Sequence, residues 1–155
     1  MSLSKSFFIS ILLLLSSLCY AQEKPPVIDW ADKSSWVTAS IEPSVSFIEA
    51  LRSNDKKCNL LKLGLKEAIT NGTVLTIKHL YSSPRPCLGC PDDGMPSGHT
   101  ANAFTGNNWQ VSLYFGTVTG ILRHRANRHT WTQVAVGTLV GVGSDFLGNL
   151  IHCKE

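Results

Sequence analysis

Apolar residues recur at helical spacing along most of the chain, and no segment shows the sustained alternation that is typical of strands. Residues 44–52 and 60–69 carry apolar side chains three and four positions apart, so each predicts an amphipathic helix. The second pattern is interrupted at Asn71-Gly72, and residues 74–81 are a candidate continuation of it. Residues 109–122 and 134–151 are apolar with recurrent small residues and predict two further helices. The pattern therefore predicts an all-α antiparallel helical bundle.

Proline and glycine mark the segments between these helices. Residues 82–96 hold four prolines and two glycines, so they predict a loop, and the chain becomes helical again from residue 97. Residues 22–43 contain Pro25, Pro26 and Pro43 and predict an extended N-terminal arm on the surface. We therefore divide the chain into this arm and a helical domain over residues 44–155.

The first 21 residues resemble a targeting segment. Lys5 precedes an apolar run over residues 7–15, and Ala21 offers a small residue at a cleavage site. Residues 1–21 are therefore predicted to be a signal peptide, with an uncleaved anchor as the alternative. A signal peptide predicts that the protein is exported to a periplasm or out of the cell. It does not decide whether the protein associates with a membrane surface.

The sequence disfavours membrane spans in two of its apolar stretches. Residues 109–122 fall short of the roughly 20 residues that a span requires. Residues 134–151 are interrupted by Asp145 and Asn149, and a carboxylate inside a bilayer is costly.

Composition narrows the classes of partner. The chain has 155 residues, 14 Lys and Arg against 11 Asp and Glu, and a net charge of +3. That length fits one folded domain, and the mild charge gives no reason to expect a nucleic-acid partner. Composition does not predict an oligomeric state.

Outside the signal segment the cysteines are Cys58, Cys87, Cys90 and Cys153. An even number in an exported protein predicts two structural disulfides. Three pairings exist; Cys87 and Cys90 are close enough to pair with each other, which would leave Cys58 for Cys153. Zinc binding, a redox-active CxxC and free thiols are the alternatives, although the flanking prolines place this CxxC in a loop.

Three short clusters between residues 78 and 133 carry the candidate chemistry. In chain order they are Lys78 followed by Arg85-Pro86, then Pro96-Ser97-Gly98-His99, and then Arg123 followed by His129. Lysine and arginine supply a point charge and planar forks for a tetrahedral oxyanion, and N–H groups at a helix start also favour anions. Two histidines provide a nucleophile or base and an acid near neutral pH. We therefore predict a phosphate site at helix ends and in the connecting loops.

The order Lys-x6-Arg-Pro, Pro-Ser-Gly-His, Arg-x5-His resembles the type 2 phosphatidic acid phosphatase family, which shares its site with vanadium haloperoxidases. The resemblance implies that His129 is the nucleophile and forms a phosphohistidine. It implies that His99 protonates the leaving alkoxide and then activates water. It also implies that the phosphoryl oxygens are held by Lys78, Arg85, Ser97, Gly98 and Arg123, and it implies no metal and no cofactor.

Two positions depart from the family pattern. Gln133 stands four residues after His129, where the family usually has an aspartate that orients the ring. We expect the Gln133 amide oxygen to accept the ring N–H, with Asp145 as a candidate assisting carboxylate, and we expect Gln133→Asp to retain or raise activity. Leu122 replaces a serine that often precedes the arginine, which removes a supporting contact.

The sequence thus predicts an exported phosphatase for phosphate esters, with a lipid phosphate or an isoprenoid diphosphate favoured by the resemblance. A non-catalytic protein that binds phosphate or lipid headgroups is the alternative from another class. A vanadate-dependent haloperoxidase is the alternative within the enzymes, although the chain is short for such a scaffold.

Overall fold

The computed structural model describes residues 24–153, which form a bundle of packed helices and no strand. The helices are α1 (Asp29–Arg52), α2 (Lys56–Leu80), α3 (Gly98–Phe104), α4 (Trp109–Arg125) and α5 (Trp131–Asn149). The all-α prediction is therefore confirmed. The predicted signal peptide, residues 1–21, lies outside the described residues.

The predicted extended arm over residues 22–43 is wrong from Asp29 onward, because these residues form the first part of α1. The buried face of α1 consists of small and polar residues, so the apolar periodicity of an ordinary amphipathic helix is missing. These residues are Ala31, Ser35, Ala39, Glu42, Ser46 and Ala50. Pro43 lies inside the helix, where it removes one backbone hydrogen bond without ending α1.

The predicted interruption at Asn71-Gly72 is also wrong, because α2 runs without a break through both residues. A glycine inside a helix costs only about 1 kcal/mol relative to alanine, and the packing of a 25-residue helix outweighs that cost. The predicted loop over residues 82–96 holds no helix, and Arg85 within it is held by a side-chain hydrogen bond to Asp93.

Small residues let α3 and α5 approach closely. A Cβ atom added at Gly137 would lie 2.5 Å from the carbonyl oxygen of Ser97, and one at Gly141 would collide with the carbonyl oxygen of Ala101. The Ser97 N–H also donates a hydrogen bond to the Gln133 carbonyl oxygen at 3.0 Å. The start of α3 is therefore held directly against α5.

Two disulfides are present, as predicted. Cys58 pairs with Cys153 and joins the start of α2 to the segment after α5, while Cys87 pairs with Cys90 inside the loop between α2 and α3. Within residues 24–153, none of the helices combines the length and apolarity that crossing a membrane requires.

Asp145 belongs to a buried polar network away from the predicted phosphate residues. Its Oδ1 lies 2.6 Å from Nζ of Lys66, a fully buried side chain that also donates to the Gly106 carbonyl oxygen at 2.7 Å. A buried charge needs such partners, so Asp145 is committed to neutralising Lys66. The structure gives it no contact with His129.

Candidate functional site

A cavity of about 820 Å³ opens where α1, α2, α3 and α4 meet the loop between α2 and α3. Six of the predicted site residues line it: Lys78, Arg85, Gly98, His99, Arg123 and His129. They come from the last turn of α2, the loop, the start of α3, the last turn of α4 and the segment before α5. The structure therefore brings the three sequence clusters together around one space.

His129 is buried, with only 1% of its surface exposed, and its ring orientation is defined by two hydrogen bonds. Nδ1 lies 2.9 Å from the carbonyl oxygen of Gly94. Because a carbonyl can only accept, Nδ1 carries the proton and Nε2 carries the lone pair. Nε2 lies 3.4 Å from Nη2 of Arg123, so the lone pair faces a guanidinium at the cavity.

Gln133 contacts the His129 ring, but most of its hydrogen bonds go elsewhere. Its Oε1 lies 3.3 Å from Nδ1 of His129 and accepts the Thr130 N–H at 3.1 Å in a capping box. Its Nε2 donates to Ser83 Oγ and to the Pro84 carbonyl oxygen, both at 2.9 Å. Gln133 therefore holds the loop between α2 and α3 as well as the ring.

The loop carries a carboxylate that neutralises two of the predicted cations. Asp93 Oδ1 accepts a hydrogen bond from Nε of Arg85 at 2.8 Å. Nζ of Lys78 donates to the Asp93 carbonyl oxygen and lies 3.6 Å from Oδ2. Burial raises the pKa of Asp93, but the hydrogen bond and charge of Arg85 together with Lys78 outweigh it, so the pKa is lowered overall.

Asp32 is the site residue that sequence reasoning missed. Its Oδ1 lies 2.5 Å from Nη1 of Arg123, and its Oδ2 lies 2.8 Å from Nη2 of Arg128. Arg128 therefore joins the cavity wall. Ser35, one turn further along α1, also contacts Arg123, since its Oγ accepts from the same Nη1 at 3.2 Å.

His99 lines the cavity beside Trp36, with ring centroids 4.1 Å apart and the rings nearly perpendicular. Its Nε2 is buried and has no hydrogen-bond partner among residues 24–153. Burial and then the charge of Arg123 lower the pKa of His99 to about 4 and that of His129 to about 3. Both imidazoles are therefore neutral at neutral pH.

Ser97 does not line the cavity, although the family resemblance implies that it helps to hold the phosphoryl oxygens. It is fully buried, and its Oγ lies 2.9 Å from Oγ1 of Thr100. Together with its backbone bond to Gln133, this contact makes Ser97 a support for the start of α3.

Within residues 24–153, no three His, Cys, Asp or Glu side chains converge on a point that could hold a metal ion. Scans against protein-family models, curated proteins and solved structures found no match to this chain. The family resemblance therefore rests on the three sequence motifs alone.

Proposed function

We propose that the protein is an exported phosphatase that hydrolyses phosphate esters through a phosphohistidine on His129. The observation that carries the proposal is the neutral Nε2 of His129, which faces a cavity wall built from cations. The type 2 phosphatidic acid phosphatase motifs favour lipid phosphates and isoprenoid diphosphates as substrates. The two disulfides suit a non-reducing compartment, which supports export to a periplasm or out of the cell.

The charge distribution of the cavity suits phosphoryl transfer. The phosphoryl oxygens stay negatively charged through the transition state, so fixed cations such as Lys78, Arg85 and Arg123 would stabilise it. In the structure Arg123 is paired with Asp32, and Lys78 and Arg85 are paired with Asp93. A bound phosphate would compete with both carboxylates for the same donors.

In the proposed first step, Nε2 of His129 attacks phosphorus and forms a P–N bond while the ester P–O bond breaks. The leaving oxygen takes the proton of His99, whose pKa would rise from about 4 once a phosphate dianion binds beside it. Positive charge develops on the His129 ring, and the Gly94 carbonyl oxygen would hold its Nδ1 proton.

In the proposed second step, water attacks the phosphohistidine and gives a proton to the now neutral His99. The P–N bond breaks, inorganic phosphate forms, and His129 recovers its lone pair. The alcohol and phosphate leave, and His99 is again protonated for the next ester.

The alternative, a non-catalytic phosphate binder, is favoured by one observation. Nδ1 of His129 meets a neutral carbonyl and an amide where the related phosphatases usually place a carboxylate, so the developing imidazolium receives less stabilisation. A binder would need the cations but not a paired His99 and His129.

Phosphate release from p-nitrophenyl phosphate by the purified protein tests the proposal. We expect activity that persists in excess chelator, is blocked by vanadate, and is lost in His129→Gln. His79→Gln is the matched control, since His79 is exposed at the end of α2 and outside the cavity.

Phosphate binding without phosphate release from any ester between acid and neutral pH would reject the phosphatase and favour the binder. Equal loss of activity in the two histidine variants would also contradict a specific role of His129.

A further inference from the structure

The cavity extends past His99 into a region that the phosphate chemistry does not use. This part of the cavity is lined by the polar residues Ser40, Ser44, Glu67 and Asn102 and by the apolar residues Ala39, Pro43 and Leu75. It adjoins His99, the proposed donor of a proton to the leaving alcohol. The alcohol portion of a substrate would therefore lie there.

A chain of hydrogen bonds fixes which atoms this region presents. Nδ2 of Asn71 donates to the backbone carbonyl oxygen of Glu67 at 2.9 Å, so the other terminal atom of Asn71 must be its oxygen. That oxygen accepts from Nδ2 of Asn102 at 3.3 Å, which leaves Oδ1 of Asn102 as the free atom of this amide. Oε2 of Glu67 is also taken, by Asn71 at 3.2 Å.

Three buried side-chain oxygen atoms have no donor among residues 24–153. Oε2 of Glu42 lies outside the cavity lining, whereas Oε1 of Glu67 and Oδ1 of Asn102 belong to residues that line it. A buried acceptor left unsatisfied costs about 1–3 kcal/mol, so such atoms in a ligand cavity indicate a missing donor. Burial and the nearby charge of Glu42 raise the pKa of Glu67 to about 7, with only Asn71 opposing them. A positive charge at this point would favour the ionised carboxylate.

The spacing relates this region to the leaving oxygen. Asn102 follows His99 by three positions on α3, so the two side chains share a face, separated by about 4.5 Å of helix rise. A spacer of about two or three carbon atoms covers a similar length, at roughly 1.5 Å per bond.

We propose that Glu67 and Asn102 bind an ammonium group on the alcohol portion of the substrate, about two or three carbons from the ester oxygen. An ammonium has three donors and no acceptor, so it can satisfy both free oxygens at once. The substrate class is then a phosphorylated amino alcohol, whatever longer chain it carries. This inference rests on the proposed function, because it takes the phosphoryl group to lie among the cations.

The test compares two phosphonates that differ in one group: 3-aminopropylphosphonate and butylphosphonate. Neither has an ester bond to cleave, so both act as competitive inhibitors of p-nitrophenyl phosphate hydrolysis. We expect 3-aminopropylphosphonate to bind roughly tenfold more tightly than butylphosphonate. This ratio is the gain that one charge-assisted hydrogen bond typically gives.

The ratio of the two inhibition constants should fall close to one in Glu67→Gln, which keeps the size of the side chain but removes its charge. Glu49→Gln is the matched control, since Glu49 is exposed on α1 outside the cavity, and it should keep the wild-type ratio. Asn102→Ala should lower the ratio as well.

Equal inhibition by the two phosphonates in the wild-type protein would overturn the ammonium site and leave the phosphatase proposal intact. If the protein hydrolyses no ester, the same pair is compared by calorimetry. Preferential binding of the amino compound then supports the site, while failure of both phosphonates and of inorganic phosphate to bind overturns the inference together with the proposed function.

Discussion

The Gly94 carbonyl oxygen lies 2.9 Å from Nδ1 of His129, so a loop residue sets the tautomer of the ring that faces the cations. Gly94 itself is fixed by its N–H, which donates to the Ser83 carbonyl oxygen at 2.7 Å. A Cβ atom at position 94 would collide with the Gln133 side chain. The positions of the His129 ring, the loop between α2 and α3 and the Gln133 side chain thus depend on one another.

Gln133→Glu should destabilise the protein by about 1–3 kcal/mol and lower the phosphatase turnover rate. The change removes the two N–H bonds to Ser83 and Pro84 and places a carboxylate oxygen against a carbonyl. Gln133→Asp would lose the same two donated bonds, which gives a reason to expect lower activity where the sequence alone predicts retained or raised activity. Urea denaturation and p-nitrophenyl phosphate kinetics measure both effects.

The control is Gln110→Glu, at an exposed position in the first turn of α4, which should leave both quantities unchanged. A Gln133→Glu protein with wild-type stability and turnover would show that the loop is held by other contacts.

Asp32→Asn should destabilise the phosphate-free protein by about 3 kcal/mol, because it leaves the buried guanidinium of Arg123 without its counter-charge. Inorganic phosphate can replace the lost charge, so it should raise the melting temperature of this variant more than that of the wild type. Differential scanning calorimetry with and without phosphate measures the difference.

Asp29→Asn carries the same change one turn earlier on α1 at an exposed position and should behave like the wild type. An equal phosphate-induced shift in the Asp32 variant and the wild type would place the anion away from Arg123.

The ratio kcat/KM, which reports the free protein, should peak in the acid range between the pKa of His129, about 3, and that of His99, about 4. Burial, with the charge of Arg123, lowers the pKa of His129 to about 3, so its nucleophilic lone pair survives until strongly acid pH. The same causes lower the pKa of His99 to about 4, so falling pH supplies the proton that it must donate. A profile that rises steadily into the alkaline range would contradict both roles.

Removing the Cys58–Cys153 disulfide should cost about 4–5 kcal/mol of unfolding free energy, because it closes a loop with a sequence separation of 95. Removing the Cys87–Cys90 disulfide, which spans a separation of 3, should cost only about 2 kcal/mol. Paired Cys→Ser variants in urea, without reductant, give the two values. The opposite ranking would contradict a stabilisation set by loop length.

Gly137→Ala should destabilise the protein by about 1–3 kcal/mol, since its Cβ would lie 2.5 Å from the Ser97 carbonyl oxygen and push α3 away from α5. Gly143→Ala is the matched control in the same helix. A Cβ there meets no atom within 4 Å, so this change should stabilise the protein by about 0.5–1 kcal/mol. Thermal denaturation of both variants measures the contrast, and equal effects would argue against close packing at residue 137.

The helices with apolar periodicity and the cations of the three motifs were predictable, because each depends on residues close together in the sequence. The helical state of residues 29–43 was not, since the buried face of α1 is made of residues such as Ser35 and Glu42 whose burial depends on distant partners. Glu42 bonds Ser46 locally, but its other donor comes from the Asn108 N–H.

The carboxylates of the site were beyond sequence reasoning for the same physical reason. Asp32 meets Arg123 across a separation of 91 residues, and no local pattern marks either as the partner of the other. Glu67 and Asn102 become neighbours only through Asn71 and the packing of α2 against α3. Local spacing identified the chemical groups, whereas tertiary packing assigned their counter-charges.

The Cys58–Cys153 disulfide also divides the chain into a covalent ring and a tail. The ring contains Lys78, Arg85, His99, Arg123 and His129, whereas α1, with Asp32 and Trp36, lies in the tail. One backbone cut inside the ring leaves its fragments joined through sulfur, whereas a cut between α1 and α2 removes the backbone link between Asp32 and the cations that it neutralises. After a single cleavage at residues 53–55, the counter-charge of the site would be held to its cations by packing and ion pairs alone.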